Sequence, residues 1–221
     1  MTTRTALITG STGGIGKSLV SSLKENVNVL SPTRKELDLS SNSSIDDYIS
    51  SLDVPIDIIV NCAGIHKAGN CEDLTTHDFQ NILQINLIAP FQIISGLVKG
   101  MKARKYGRIL NISSIWSIVS KEKRSIYSAS KSGLDGLTRT LALELAPFNI
   151  LVNSIAPGYV NTDMIQQYNS KKELEKIKQI IPLNRFAEPD EIAELVKFLS
   201  SEKNSYITGQ IIPIDGGYVL R

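Results

Sequence analysis

Short apolar runs alternate with longer amphipathic runs along this chain. The apolar runs predict strands at residues 5–9, 27–30, 56–61, 108–112, 150–155 and 211–214. Helical periodicity marks residues 15–25, 43–51, 75–102, 126–146 and 189–200. Strands that are apolar almost throughout and separated by helices are typical of a parallel sheet covered on both faces. We therefore expect a doubly wound α/β fold with three layers, α/β/α, in a single domain over residues 1–221.

Composition narrows the function classes. Of the 221 residues, 42% are hydrophobic, which is enough for a packed core and excludes a disordered or disulfide-framework protein. The 24 Lys and Arg nearly balance the 22 Asp and Glu, so we expect no bulk nucleic-acid binding. The histidines, His66 and His77, have no metal-ligand partners at suitable spacing, so we expect no metal site.

One uncharged stretch, residues 79–98, is long enough to cross a membrane. Six polar residues and Pro90 interrupt it, so it predicts a buried helix and no membrane contact. The N-terminus leads directly into the first strand and leaves no room for a signal peptide. Cys62 and Cys71 do not form a CxxC pair, which favours reduced thiols in a cytoplasmic protein.

A glycine loop joins the first strand to the first helix. Its residues are Gly10, Ser11, Thr12, Gly13, Gly14, Ile15 and Gly16. Glycines permit close backbone approach, and the helix N-terminus behind them presents free N–H groups to a phosphate. The spacing reads both as TGxxxGxG and as TGxxGxxG. From this point the chain resembles the short-chain dehydrogenase/reductase family, whose single-domain and extended branches use these two spacings. The resemblance implies a Rossmann-like fold.

The end of the second strand bears on the choice of dinucleotide. No carboxylate precedes Glu36, whereas Arg34 can grip a 2′-phosphate with two hydrogen bonds. We expect NADP(H) to be preferred, with NAD(H) as the open alternative. The resemblance implies that Asp38 and Leu39 contact the adenine. The gap between Leu30 and Leu37 is too short for a crossover helix, so we expect that helix to be absent and a short edge strand to begin near Leu37.

Two further motifs extend the resemblance. Asn61, Ala63 and Gly64 follow the 56–61 strand as the family's N-[NC]-A-G motif, in which the Asn braces the sheet and Ala-Gly lies along the cofactor. The later segment from Asn153 to Thr162 matches the single-domain branch and implies that Val160 and Thr162 contact the nicotinamide end. A substrate lid is expected over residues 159–185.

Four residues carry the expected chemistry. Tyr127 and Lys131 lie at i, i+4 on one helix face, and an ammonium beside a phenol lowers the phenol pKa. Ser114 ends the strand-like run 109–114 at its carboxyl edge, where a hydroxyl can bind a carbonyl oxygen. The resemblance makes these three the catalytic residues and adds Asn86, whose amide would hold a water beside Lys131. Trp116 either lines the pocket or packs in the core.

The resemblance implies an NADPH-dependent ketoreductase with Tyr127 as the acid, most like the 3-oxoacyl-(acyl-carrier-protein) reductases. A sugar or polyol ketoreductase is a second interpretation, and a dinucleotide-binding regulator without catalysis is a third. The substrate is a small or carrier-bound carbonyl compound. Family members imply a homo-oligomer, a tetramer or a dimer. A basic cluster either docks an acidic carrier or is a solvated face; it comprises Lys99, Lys102, Arg104, Lys105 and Arg108.

Overall fold

Parallel pairing joins every neighbouring strand in one sheet. The computed structural model describes residues 4–167 and 170–220. Within them the sheet has six strands in the order β2-β1-β3-β4-β5-β6. Their bounds are β1 (Thr5–Thr9), β2 (Asn28–Leu30), β3 (Ile58–Asn61), β4 (Gly107–Ile112), β5 (Ile150–Pro157) and β6 (Ile211–Ile214). The order reverses between β1 and β3, so the loops after these strands diverge and leave a crevice at the carboxyl edge.

Eight α-helices are described. They are α1 (Gly14–Leu23), α2 (Asn42–Ser50), α3 (Thr76–Leu83), α4 (Ala89–Arg104), α5 (Ser125–Leu145), α6 (Asp163–Gln167), α7 (Lys171–Gln179) and α8 (Pro189–Ser200). They form the two outer layers, because successive strand residues point to opposite faces of the sheet. Leu7 of β1 packs in the cluster with Ile45 of α2 and Ile93 of α4. Ile8 of the same strand packs in the other cluster, with Leu19 of α1. The expected three-layer, doubly wound fold is confirmed.

The connection from β2 to α2 is a loop. No helix lies between Leu30 and Leu37, as the short gap predicts. However, α2 lies between β2 and β3, so the second and third strands along the chain are joined through a helix that was expected to be absent. The expected edge strand near Leu37 is wrong, because this backbone bonds to side chains: the Asp38 carboxylate accepts from Ser40 N at 3.0 Å, and Asp38 N donates to Ser44 Oγ at 3.0 Å. Such local bonds compete with a strand ladder. β2 is therefore the edge of the sheet.

The run Thr76–Arg104 combines α3 and α4 through a π-helical turn over Gln84–Ile88. Pro90 has no N–H for the carbonyl of the residue four positions earlier, so the regular pattern is interrupted there. Among the described residues this is the one helix that is long and apolar enough, by length and composition, to cross a membrane. In this fold Ile82, Ile93 and Met101 of the run are buried against the rest of the protein.

The segment expected as a lid contains α6 and α7. Leu174 of α7 packs with Ile181 and Phe186 in a small separate cluster, beside Tyr159. Ser170 caps α7 by accepting from Glu173 N at 3.3 Å. Tyr168 and Asn169, which belong to the expected lid, lie outside the described residues. Closure of this segment over a substrate therefore stays a prediction.

Candidate active site

A cleft of about 640 Å³ opens at the carboxyl edge of the sheet. It is lined by the loops after the first five strands, and nearly all of the residues predicted from sequence reach it. These are Gly10, Ser11, Thr12, Gly14, Ile15, Gly16, Arg34, Asp38, Leu39, Ala63, Gly64, Ser114, Tyr127, Lys131, Val160 and Thr162. Asn61 and Asn86 do not line it, and both are buried behind the wall.

The glycine loop lies directly against the backbone that follows β3. Gly10 has φ +72°, and a Cβ there would be 2.6 Å from the N and Cα of Ala63. A Cβ on Gly16 would overlap the carbonyl oxygen of Gly10. Thr9 Oγ1 fixes the contact by accepting from Cys62 N at 3.2 Å and Ala63 N at 3.3 Å. Only glycine at residues 10 and 16 permits this packing, which sets the shape of the cleft floor.

The N-terminus of α1 is open toward the cleft. Its N-cap, Gly13, has no side-chain cap, and no acidic residue lies in the first turn. The N–H groups there can therefore bind a phosphate without displacing a side chain. Thr162 approaches from the opposite side, since a Cβ on Gly14 would be 2.7 Å from Thr162 Cγ2. These residues fit a dinucleotide whose phosphates lie on the glycine loop.

Arg34 and Asp38 form the far end of the cleft. The Arg34 side chain is 81% exposed, and its Nε lies 3.8 Å from Asp38 Oδ1. Glu36 faces away, because its carboxylate accepts from Thr33 N at 2.7 Å and Thr33 Oγ1 at 2.8 Å. The nearest carboxylate after β2 thus caps a local turn. Arg34 is left accessible to a ligand phosphate.

Asn61 begins a buried chain of hydrogen bonds between strands and helix. Asn61 Nδ2 donates to Asn111 Oδ1 at 2.9 Å, and Asn111 Nδ2 donates to Thr138 Oγ1 at 2.8 Å. Thr138 Oγ1 also lies 2.9 Å from Ser154 Oγ. The chain joins β3, β4, α5 and β5, which is the bracing role that the resemblance implies for Asn61.

Asn86 lies in the π-helical turn and is fully buried. Its Oδ1 accepts from Ile65 N at 2.9 Å, while Nδ2 donates to Ile65 O at 2.9 Å and to Ser130 Oγ at 3.1 Å. A Cβ on Gly64 would lie 3.4 Å from Lys131 Nζ and 3.5 Å from Asn86 Oδ1, so these two atoms flank one point. The structure shows a side chain that fixes the segment after β3, and its expected water-holding role stays a prediction.

Ser114 and Tyr127 lie close together in the wall of the cleft, and Ser114 Oγ accepts from Trp116 N at 3.3 Å. Ser114 follows β4 and is 6% exposed. The preceding residue, Ser113, bonds through Oγ to Ser117 Oγ at 3.3 Å. Burial raises the pKa of Tyr127 above the ordinary value, while the Ser114 hydroxyl and the charge of Arg124 lower it. The expected net lowering of the Tyr127 pKa is therefore wrong for this structure, because burial dominates, although Lys131 Nζ lies 5.8 Å from the centre of the Tyr127 ring.

Lys131 is a buried cation at the centre of the site. It is 3% exposed, and Nζ donates to Ile112 O at 2.8 Å. Burial lowers the pKa of Lys131 to about 8, although the Cys62 thiol and the Asp135 carboxylate favour the charged form. The pKa of Cys62 is itself raised by burial to about 12, so this thiol stays protonated and chemically quiet.

Several cleft residues were not selected from the sequence. Lys121, Arg124 and His66 line the substrate end, and the spacing of three residues between Arg124 and Tyr127 was a usable signal. The structure also decides the position of Trp116: it lines the cleft and packs edge-on against Tyr159 and Tyr218, with ring centroids 6.1 and 5.8 Å away.

Comparison with known proteins identifies the family. A family model described as enoyl-(acyl carrier protein) reductase matches residues 11–219, nearly the whole chain. The chain belongs to the short-chain dehydrogenase/reductase family. The 3-oxoacyl-(acyl-carrier-protein) reductase FabG of Aquifex aeolicus is 38% identical over 96% of this chain and 86% of its own length.

Solved structures of this family superpose closely. One from Agrobacterium tumefaciens, described provisionally as a gluconate dehydrogenase, gives a TM-score of 0.92 at 32% identity, over 98% of this chain and 96% of that one. Another, from Beutenbergia cavernae, gives 0.91 at 28% identity over 99% and 97% of the two chains. It is described provisionally as an NAD(P)-dependent gluconate 5-dehydrogenase and contains NADP at low occupancy. This short-chain dehydrogenase/reductase is an oxidoreductase of the ketoreductase type, most similar to the 3-oxoacyl-(acyl-carrier-protein) reductases.

The buried Lys131 predicts a signed pH dependence of stability. Because its pKa is about 8 in the folded protein and near 10.5 when exposed, the unfolded state binds more protons between these values. The free energy of unfolding should therefore rise with pH there, by on the order of 2 kcal/mol between about pH 8 and 10. Urea titrations of the wild type and of Lys131→Met at several pH values test this prediction. The wild type should show the rise in the free energy of unfolding with pH, and Lys131→Met should not, so the difference between the two proteins should change by the same amount. If the difference in unfolding free energy between the two proteins does not change with pH, the lowered pKa of Lys131 is contradicted.

Proposed function

We propose that this enzyme reduces the ketone of a 3-oxoacyl thioester to a secondary alcohol with NADPH. The observation that carries the proposal is the grouping of Ser114, Tyr127 and Lys131 on one wall of a cleft whose floor is the glycine loop. When bound, the reduced nicotinamide supplies the hydride for the carbonyl carbon. The chain then has to hold the carbonyl oxygen and deliver one proton to it.

Tyr127 is the proton donor in this proposal. Its raised pKa keeps the hydroxyl protonated near neutral pH, as an acid in the reductive direction requires. Ser114 lies beside Tyr127 in the cleft wall and directs the carbonyl oxygen toward it. The Lys131 ammonium, with a pKa of about 8, is mostly charged at neutral pH, stabilises negative charge that develops near Tyr127 and can hold a ribose hydroxyl. Asn86 would complete the proton path to solvent.

Replacing Tyr127 by Phe removes one hydroxyl and tests the assignment. We expect kcat for reduction of an acetoacetyl thioester to fall by roughly 10²-fold or more, because the proton donor is lost. NADPH binding, followed by fluorescence titration, should change little. Tyr206→Phe is the matched control, since this side chain is 95% exposed and lies outside the cleft. If Tyr127→Phe reduces the substrate at the wild-type rate, Tyr127 is not the proton donor.

The cofactor of the proposal is NADP(H). Its support is the exposed Arg34 guanidinium, the Glu36 carboxylate that is turned away by its bonds to Thr33, and the NADP found in the Beutenbergia cavernae structure. A carboxylate at this place would repel a 2′-phosphate, whereas a guanidinium attracts one.

Arg34→Gln tests the cofactor choice. We expect kcat/KM for NADPH to fall about tenfold, with a much smaller effect on NADH, because only NADPH carries the 2′-phosphate. Lys35→Gln makes the same charge change at a neighbouring exposed residue that does not line the cleft. Equal kcat/KM values for NADPH and NADH in the wild-type enzyme would contradict the proposal.

The carrier-bound form of the substrate rests on the similarity to FabG. The basic cluster supports docking only in part, because two of its members are already bound to groups of the protein. Arg104 Nε donates to Asp57 Oδ1 at 3.2 Å, and Arg108 is 3% exposed and donates to backbone carbonyls. Lys99 and Lys105 stay exposed for an acidic carrier. Because structural neighbours are described as gluconate dehydrogenases, a keto sugar acid belongs in any substrate panel.

We propose a tetramer as the assembly. The support is a set of large apolar side chains exposed on the 76–104 run and on α5: Ile88 at 42%, Phe91 at 50% and Leu143 at 80%. Such surface is commonly covered by a symmetric copy. Sedimentation velocity should give about four times the chain mass of 24.2 kDa, and Leu143→Glu should yield smaller species. A wild-type monomer would contradict the assembly.

A further inference from the structure

Arg124 is a cation in the cleft that the proposed reaction does not use. It is the N-cap residue of α5, its side chain lines the cleft, and Nη1 is buried without a hydrogen-bond partner. Within residues 4–167 and 170–220, no ion pair includes Arg124. A buried, unpaired guanidinium N–H is costly, so its retention at this place calls for a ligand.

The surroundings of Arg124 are mostly positive. Lys121 lines the same cleft and adds a second positive charge. His66 also lines it from the segment after β3, but burial and the charge of Arg124 lower its pKa, so the imidazole is neutral near pH 7. The N-terminus of α5 adds partial positive charge, and its first turn contains no acidic residue to offset it. Asp163, at the start of α6, is the carboxylate that lines the cleft on this side, whereas Asp38 lies at the Arg34 end. An anion is thus favoured here by several groups together.

The position of Arg124 relative to Tyr127 defines where the anion would lie. The two residues are three apart at the start of α5, so they project from the same face. Arg124 lines the cleft together with Tyr127, Tyr159 and His66. Its positive charge opposes the rise that burial causes in the pKa values of Tyr127 and Tyr159. An anionic group bound by Arg124 would therefore be next to the carbonyl that Tyr127 protonates.

We propose that Arg124 binds a carboxylate of the substrate within a few bonds of the reacting ketone, so that free oxo acids form a substrate class of this enzyme. The inference rests on ketone reduction at Tyr127. A guanidinium can bind a carboxylate with two parallel hydrogen bonds, which fixes the ketone in one orientation. The phosphodiester of a carrier arm lies many bonds from the ketone and fits this position less well.

A pair of substrates that differ in one charge tests the inference. Acetoacetate carries a carboxylate beside the ketone, and methyl acetoacetate is its neutral ester. We expect Arg124→Gln to lower the ratio of kcat/KM for acetoacetate over methyl acetoacetate roughly 10- to 100-fold. The ratio is informative because any change in the pKa of Tyr127 affects both substrates alike. Arg124→Lys should restore part of it.

The matched control is Lys123→Gln. Lys123 is exposed, is adjacent to Arg124 in sequence and does not line the cleft. Its loss makes the same change in net charge, and we expect the ratio to stay at the wild-type value. An equal fall of the ratio in Lys123→Gln would reduce the effect to general surface charge and overturn the inference. An unchanged ratio in Arg124→Gln would overturn it as well.

A second substrate pair separates the two sources of negative charge. Acetoacetyl-pantetheine and its phosphorylated form differ only in a remote phosphate. If Arg124→Gln changes the preference within this pair and leaves the acetoacetate ratio unaltered, Arg124 binds the carrier arm and the oxo acid inference is wrong. A change confined to the acetoacetate pair supports it.

Equilibrium binding distinguishes failure of this inference from failure of the proposed reaction. The chain has one Trp, Trp116, and it lines the cleft, so its fluorescence reports binding there. Titration with butyrate and with neutral butyramide needs no turnover. Butyrate should bind more tightly than butyramide to the wild type and lose that advantage in Arg124→Gln, even if no ketone is reduced. Equal binding of both compounds to the wild type would contradict the anion site.

Discussion

The burial of the Lys131 ammonium is the interaction on which the arrangement of the site depends. A cation inside a protein needs polar partners, and Lys131 has the carbonyl at the end of β4. Asp135 and Cys62 lie close enough to favour its charge, yet burial still dominates its pKa. The end of β4, the first turns of α5 and the segment after β3 are consequently held around one nitrogen. Ser114 and Tyr127 belong to two of these elements, which brings them together.

Backbone packing provides the second constraint. Gly10 and Ala63 are so close that a side chain at residue 10 has no room, and Thr9 fixes both segments by hydrogen bonds. The floor of the cleft is therefore formed by main chain and the walls by side chains. The side chains of the walls differ along the cleft. The Arg34 guanidinium lies at one end, and Arg124, Tyr127 and aromatic rings lie at the other. Such a division suits a long ligand with chemistry at one end.

Much of this fold could be predicted from the sequence, because buried parallel strands are apolar throughout and their helices are periodic. The strands 5–9 and 211–214 have the predicted bounds. The prediction of a strand near Leu37 failed. Apolar and polar residues alternate there as in a strand, but the side chains of Asp38 and Ser44 form hydrogen bonds with the backbone of residues 38–40. Side-chain capping of this kind is set by three-dimensional contacts and leaves little trace in hydropathy.

The site was predictable where a motif fixes it and less so elsewhere. The glycine loop and the Tyr127–Lys131 spacing led to the cleft directly. The pKa of Tyr127 did not follow from spacing, because burial outweighs the effect of the nearby positive charges. Arg104 and Arg108 looked like surface cations in sequence, although both bind inward-facing carbonyl or carboxylate groups. Residue type alone does not show which way a long side chain turns.

In the proposed reaction, the enzyme catalyses hydride transfer from a reduced dinucleotide to a ketone in this cleft. The most direct measurement uses NADPH deuterated at the transferable position of the nicotinamide with an acetoacetyl thioester, followed by mass spectrometry of the product. We expect a 3-hydroxyacyl thioester with one deuterium on the former carbonyl carbon. Consumption of the substrate without deuterium in the product, or no product with any ketone of a broad panel, would contradict it.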